Sequence, residues 1–493
     1  MSVRVRFAPS PTGFVHIGSL RTALYNYLYA MKNKGAYILR VEDTDRTRLV
    51  EGAVEGMLEA MKWAGVIHSE GPFVNEKNEL IEIGEFGPYT QSNRLEIYQK
   101  YADQLLEAGH AYHCFCDKER LEKVREVQKS NGQTPKYDGH CKGVSLEEAR
   151  KRAALGESHV VRLKLPENRE ITFDDAVRGV VTFNTDELDD QVLMKQDGFP
   201  TYHMAVIVDD HLMKITHVIR GEEWLSSTPK HVYLYEAFGW ESPRFVHLPN
   251  ILNSEKKKLS KRQGDVAVED FKVKGYLPEA LINYVALVGW SPEDNSEKMT
   301  MAEMIEKFSL DRVSKSGGVF DVDKLNWMNG LYIKEMPLEA LTELCMPFFV
   351  QKGYVKAEEI EAQRPFMETI TKLSQESMHY LAQVTDLVPM FIGESVEPEN
   401  EETLEMLKID QVPEVLTAFI KLLEAAPVVD EAFAKSVMKE IQKETGVKGK
   451  NLFMPVRAAI SGQLHGPDLV AIIQLLGKEL LIKRLENTLK SLA

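Results

Sequence analysis

Residues 3–32 read VRVRFAPSPTGFVHIGSLRTALYNYLYAMK, and the fold is decided in this stretch. Val3–Phe7 alternates apolar and charged side chains, the period of a half-buried strand. Pro9, Pro11 and Gly13 end it in a stiff loop, and from about Gly18 to Met31 the residues Leu20, Leu24, Tyr27, Leu28 and Met31 recur at helical spacing. A second strand, Ala36–Val41, runs into the acidic Glu42-Asp43-Thr44-Asp45, and Val50–Ala64 is again helical. Strands alternating with helices predict a parallel sheet whose ligands lie beyond the strands' C-terminal ends.

Further along, a helix from about Gln91 gives way to a polar, irregular stretch around Lys129–Gly143 and then to β-type runs at His159–Leu165 and Val180–Asn184. The parallel-sheet pattern resumes with short strands at Met204–Val208 and Ile215–Arg220 and a helix at Thr228–Phe238. The expected fold is therefore an α/β nucleotide-binding domain of Rossmann type, interrupted by an insertion. Beyond residue 335 the helical runs Val415–Ala426, Glu431–Glu444 and Pro467–Leu476 are stopped by Pro427, Gly446 and Gly477, which predicts an all-helical C-terminal region. Gly393–Leu404 reads as a solvated linker.

At 493 residues the chain exceeds one compact core, and its 44% hydrophobic and 27% charged residues exclude a disordered protein. The net charge of −15 argues at first against nucleic acid. The acidity, however, is concentrated in residues 331–430, while 1–50, 256–262 and 431–493 are net positive. Phosphate contacts are local, so a nucleic-acid binder needs a basic path rather than a basic total. Four cysteines form no disulfide framework, no apolar run approaches the ~20 residues of a membrane span, and Met-Ser-Val-Arg-Val-Arg-Phe is not a signal peptide. A cytoplasmic protein without membrane attachment is expected.

Two motifs carry chemistry. In Ala8–Ser19 (APSPTGFVHIGS), Gly13 and Gly18 let backbone approach a ligand, and His16 stands at a helix start whose free N–H groups favour phosphate. By itself a histidine there is more often a cap or a surface residue. Glu255–Arg262 (EKKKLSKR) is by itself a solvated basic loop or a nonspecific nucleic-acid patch. Its place after the second half of the α/β fold would let it close over phosphates held by the first.

Together these motifs resemble the class I aminoacyl-tRNA synthetases, with His16-Ile17-Gly18-Ser19 in place of H-I-G-H and Lys258-Leu259-Ser260-Lys261-Arg262 in place of K-M-S-K-S. Arg6–Gly13, Arg40–Asp45, Pro200–His203, Asp209–His211 and Val218–Trp224 narrow the resemblance to bacterial glutamyl-tRNA synthetases. It implies activation of L-glutamate with ATP and Mg²⁺ to an adenylate plus pyrophosphate, then transfer to the 3′-terminal adenosine of tRNA(Glu). By resemblance the domains are two catalytic halves at 1–95 and 201–250, an inserted acceptor-binding domain at 96–200, a stem-contact domain at 251–334 and an anticodon-binding region at 335–493, in a monomer. Glutaminyl-tRNA synthetases differ in reading the anticodon with β-barrels.

The nucleophile of the first step, the glutamate α-carboxylate, is already an anion, so the catalytic demand is electrostatic. The resemblance assigns this to His16, Lys258 and Lys261, with Gly18, Trp224 and Ser260 also at ATP. Arg6 and Arg220 would receive the substrate's side-chain carboxylate, with Ala8, Ser10, Tyr202 and Glu223 lining its pocket and Glu42 holding the α-amino group. The plainer alternative is that Arg6 and Glu42, at the ends of adjacent strands, pair with each other. Buried arginine requires an anion, and substrate is the favoured one. Val206 stands where the family often has asparagine, which removes one polar contact.

Cys114, Cys116 and Cys141 reproduce the spacing of three of the four zinc ligands of some family members. Gly143 replaces the usual histidine, leaving His113 or His140 as substitutes. Structural zinc normally has four regularly spaced ligands, so free thiols are expected and zinc is not.

Overall fold

The structure, a computed structural model, describes residues 2–260 and 265–492. The chain divides into two compact units, Met1–Val273 with Pro278–Leu325, and Lys274–Leu277 with Asn326–Ala493.

In the first unit the strand Arg4–Phe7 pairs in parallel with Ala36–Leu39, and the helix Ile17–Lys32 makes the crossover between them. A second parallel pair, His217–Gly221 with Arg244–Leu248, is connected by the helix Thr228–Phe238. Thr216 N donates to Arg4 O at 2.9 Å, which sets the starts of Arg4–Phe7 and His217–Gly221 side by side. Val5, Ile38, Ile219 and Val246 are fully buried between these elements. Parallel strands covered on both faces need such apolar runs.

Between the two halves lies an antiparallel sheet of Ala111–Cys114, Val160–Leu163 and Val192–Met194. The hairpin of Glu170–Asp175 and Gly179–Asn184 joins the second parallel pair, with Asp175 in register with Phe245. That register carries a carboxylate beside the buried face of Arg244–Leu248.

One predicted element is wrong. Met204–Val208, read as a strand, lies inside the helix Tyr202–Leu212. Met204 through Asp210 are all buried, and a short segment covered on every side has no apolar period from which helix and strand could be told apart.

The second unit is helical, and among the described residues no strand follows Gly318–Val319. Gly446 caps Glu431–Thr445 in the left-handed conformation (φ 73°), as its sequence position predicts. Gly477 (φ 66°, ψ 172°) is likewise non-helical and stops the helix from Leu469 as its position predicts, with a second helix following it to Leu492. The interval read as a linker is cut short by Asn400, whose side chain caps Glu401–Leu407 by accepting from Thr403 N at 2.9 Å. Arg484, fully buried, gathers the carbonyls of Met390, Ile392, Gly393 and Ile460 at 2.5–3.1 Å, satisfying backbone acceptors where helical segments end. Among the described residues no helix is long and apolar enough to cross a membrane.

Candidate active site

The loop after Arg4–Phe7, the start of Ile17–Lys32 and the ends of Ala36–Leu39 and His217–Gly221 surround one cavity of about 790 Å³. Arg6, Ala8, Ser10, His16, Gly18, Glu42, Tyr202, Arg220, Glu223, Trp224 and Lys258 all line it. Ser260 is exposed and is not among the lining residues, and Lys261 lies outside the described residues.

His16 is both a cap and a cavity residue. Its Nδ1 accepts from Gly18 N at 3.0 Å at the start of Ile17–Lys32. Because a backbone N–H can only donate, the proton of the neutral ring sits on Nε2. The segment carrying Lys258 doubles back on the strand Ile251–Leu252, with Asn253 N to Lys257 O at 2.8 Å and Leu259 N to Ile251 O at 2.9 Å. Lys257 is engaged by Glu255 at 2.8 Å, while Lys258 reaches the cavity rim.

Arg6 and Glu42 do not pair with each other. Arg6 Nε donates to Asp210 Oδ1 at 3.0 Å, and Arg40 Nη1 donates to the same oxygen at 2.7 Å. Glu42 accepts from Arg40 through Oε1 at 3.0 Å, and burial outweighs that arginine in raising its pKa. The anion beside Arg6 is thus supplied by Asp210, neither by Glu42 nor by substrate, which corrects the expectation that favoured substrate there.

Arg220 is different. It is 5% exposed, and every partner it has among the described residues is neutral in charge or an imidazole. Nη1 donates to Tyr202 Oη at 3.0 Å, Nη2 to Thr228 Oγ1 at 2.9 Å and to His231 Nδ1 at 3.2 Å, and Nε to His247 Nε2 at 3.0 Å. His231 is held well below the usual histidine range by burial and by Arg220. The pKa of His247 is also lowered, by burial, against the opposing pull of Asp175. Trp224 stacks on Tyr202 with ring centroids 3.9 Å apart, so it packs as well as lining the cavity.

Val206 is a buried core residue one helical turn beyond Tyr202 and does not line the cavity. Sequence reasoning missed Asp210, His231, His247 and Lys195. Lys195 lines the cavity with Nζ on Thr44 O at 2.9 Å. Asp210 lay within a quoted motif, but which arginines it meets depends on tertiary convergence.

In the inserted region the ligand atoms of Cys114, Cys116 and Cys141 lie within 4.8 Å of one another, and Cys116 Sγ and Cys141 Sγ are 3.6 Å apart, a spacing that a small inward shift would bring onto one zinc ion. Tyr137 Oη lies 3.3 Å from Cys114 Sγ and 3.5 Å from Cys116 Sγ. The cluster therefore fits zinc better than the spacing implied, with a phenol as fourth donor where the family pattern places histidine.

Residues 2–327 match the family described as "tRNA synthetases class I (E and Q), catalytic domain", and residues 340–489 match "Anticodon binding domain". The glutamate–tRNA ligase of Alkaliphilus metalliredigens is 61% identical over 98% of both chains, and that of Clostridioides difficile is 60% identical over the same share. The crystal structure of a glutamate tRNA ligase from Elizabethkingia meningosepticum in complex with its amino acid superposes with a TM-score of 0.87 at 36% identity, covering all of both chains.

Proposed function

The chain belongs to the glutamate–tRNA ligases of the class I tRNA synthetase family, and on that premise we propose that its cavity activates L-glutamate with ATP and passes the glutamyl group to the terminal adenosine of tRNA(Glu). The observation that carries this reading is Arg220, a buried guanidinium with no carboxylate partner among the described residues. A buried cation left unpaired is costly, so the site is completed by a ligand that brings a carboxylate. Glutamine, with a neutral amide, leaves the arginine uncompensated and is rejected on that ground.

Arg220 and Arg6 receive the side-chain carboxylate, with Tyr202 and Ser10 beside it. Glu42 holds the α-amino group, its Oε1 engaged by Arg40. This sets the α-carboxylate toward the ATP side, lined by His16, Gly18 and Trp224. The neutral His16 presents its Nε2 proton there as a hydrogen-bond donor to phosphate oxygen. Lys258 and Lys261 meet the charge that builds on the α-phosphate and the leaving pyrophosphate, and a cation that does so mainly in the transition state raises turnover rather than affinity. ATP enters as its magnesium complex, in which the metal neutralises phosphate charge.

We assign residues 96–200 to the acceptor end of the tRNA, 251–334 to its stem and 335–493 to the anticodon. In the inserted part Cys114, Cys116, Cys141 and Tyr137 would hold a zinc ion, which would supply a structural cross-link. Aminoacylation of tRNA(Glu) with labelled glutamate or glutamine tests the reading: glutamate alone should be incorporated, and incorporation of glutamine at a comparable kcat/KM would refute it.

A further inference from the structure

Behind Arg220 lies a set of polar groups that do not line the cavity. Asp175 Oδ2 accepts from His247 Nδ1 at 2.6 Å, and Asp175 Oδ1 accepts the backbone N–H groups of Val177 at 3.0 Å and Arg178 at 2.9 Å. His231 Nε2 lies 3.0 Å from His203 Nδ1. Asp175, His231 and His247 are all buried.

The donor count fixes the protons. Arginine nitrogens only donate, so the ring atoms they face, His247 Nε2 and His231 Nδ1, must be lone pairs. His247 therefore carries its proton on Nδ1 and gives it to Asp175. His231 carries its own on Nε2 and gives it to His203. A proton on either facing nitrogen would set two donors against each other. Four of the five guanidinium N–H groups are thus taken by neutral acceptors, which leaves one Nη1 hydrogen among the described contacts. The carboxylate of Asp175 is spent on His247 and on backbone, one ring away from the arginine.

We propose that Asp175, His247 and His231 are positioning residues for amino-acid selection: they fix the tautomers that face Arg220, orient its guanidinium toward the cavity, and keep it without a protein counter-ion, so that the substrate's side-chain carboxylate becomes that counter-ion. This rests on the assignment of Arg220 to glutamate. Replacing the imidazole acceptor by an apolar group frees Arg220 Nε and lets the guanidinium rotate, which weakens glutamate binding and leaves the ATP side untouched. An amide oxygen at the same place restores the acceptor.

The test is tRNA charging by the full-length enzyme with His247→Leu, His247→Gln and Arg220→Ala, reading KM for glutamate and for ATP separately. His247→Leu should raise the glutamate KM by about tenfold or more, the loss expected for one charged hydrogen bond, with the ATP KM unchanged, and His247→Gln should recover most of it. An unchanged glutamate KM in His247→Leu, equal rises in both constants, or a glutamine variant no better than leucine overturns the proposal. If Arg220→Ala leaves the glutamate KM unchanged, the assignment of Arg220 itself fails. If it raises that KM while His247→Leu does not, only the positioning role fails. Should His247→Leu not fold, ¹⁵N-histidine NMR of the unsubstituted protein decides: His247 neutral and protonated on Nδ1 supports the proposal, and a proton on Nε2 overturns it.

Discussion

Arg6 and Asp210 form an ion pair, 3.0 Å from Nε to Oδ1, in which both side chains are almost wholly removed from solvent. The same carboxylate holds Arg40 at 2.7 Å, so one aspartate of the helix Tyr202–Leu212 ties together the ends of the strands that form the cavity floor. Asp210→Asn keeps the shape and removes the charge from both arginines. A loss of about 3–5 kcal/mol is expected, because Arg6 loses the carboxylate of its buried pair while Arg40 keeps Glu42 at 3.0 Å. Urea denaturation measures it, and a loss below about 1 kcal/mol would show that water or another group compensates Arg6.

Lys258 and Lys261 are assigned to the transition state. Replacing either by alanine should lower the turnover of adenylate formation by roughly 10²–10³, as loss of a charge-stabilising donor does, with glutamate affinity within about threefold of wild type. Equal losses of turnover and affinity would make them ground-state contacts.

The histidines around Arg220 predict a pH dependence of stability. Burial holds the pKa of His203 down to about 3 and lowers those of His231 and His247 from 6.5. Below pH 6.5 the unfolded chain binds protons that the folded chain refuses, so stability is full above that value and is lost as the pH falls. Each imidazole contributes up to about 1.4 kcal/mol per pH unit. Urea midpoints between pH 7 and pH 5 should fall accordingly, and His203→Asn should show a shallower fall. An identical slope would mean that His203 titrates normally in the folded protein.

The thiol cluster predicts about one zinc per chain in protein purified without chelators, and loss of that zinc in Cys116→Ser. Tyr137→Phe should keep the three thiols yet bind more weakly, read from cobalt substitution through its thiolate absorption. Metal-free protein with intact thiols would restore the expectation drawn from spacing alone.

Much of the cavity was legible in sequence because its residues come in local runs. The loop between Arg6 and Gly18 announces itself through its prolines and glycines, and the acidic step at Glu42 marks a strand end. What supports the cavity was not legible. Asp175 lies in a hairpin, His231 on a helix and His247 on a strand, and only the register of Phe245 with Asp175 brings them behind Arg220. A histidine in the strand Arg244–Leu248 looks like a core residue until its neighbours are known. Tyr137, four residues before Cys141, escaped notice because a count of cysteines and histidines does not register a phenol. The helix Tyr202–Leu212 was misread because burial on every side erases the periodicity on which such readings depend.

Arg220 has no carboxylate partner among the described residues, and the substrate's own side-chain carboxylate is assigned to it. ATP–pyrophosphate exchange tests that assignment most directly, run with glutamate and with glutamine, each with and without tRNA(Glu). Exchange is predicted with glutamate and not with glutamine, and membership of the family adds the expectation that it needs tRNA. Exchange with glutamine at a comparable rate would contradict the account.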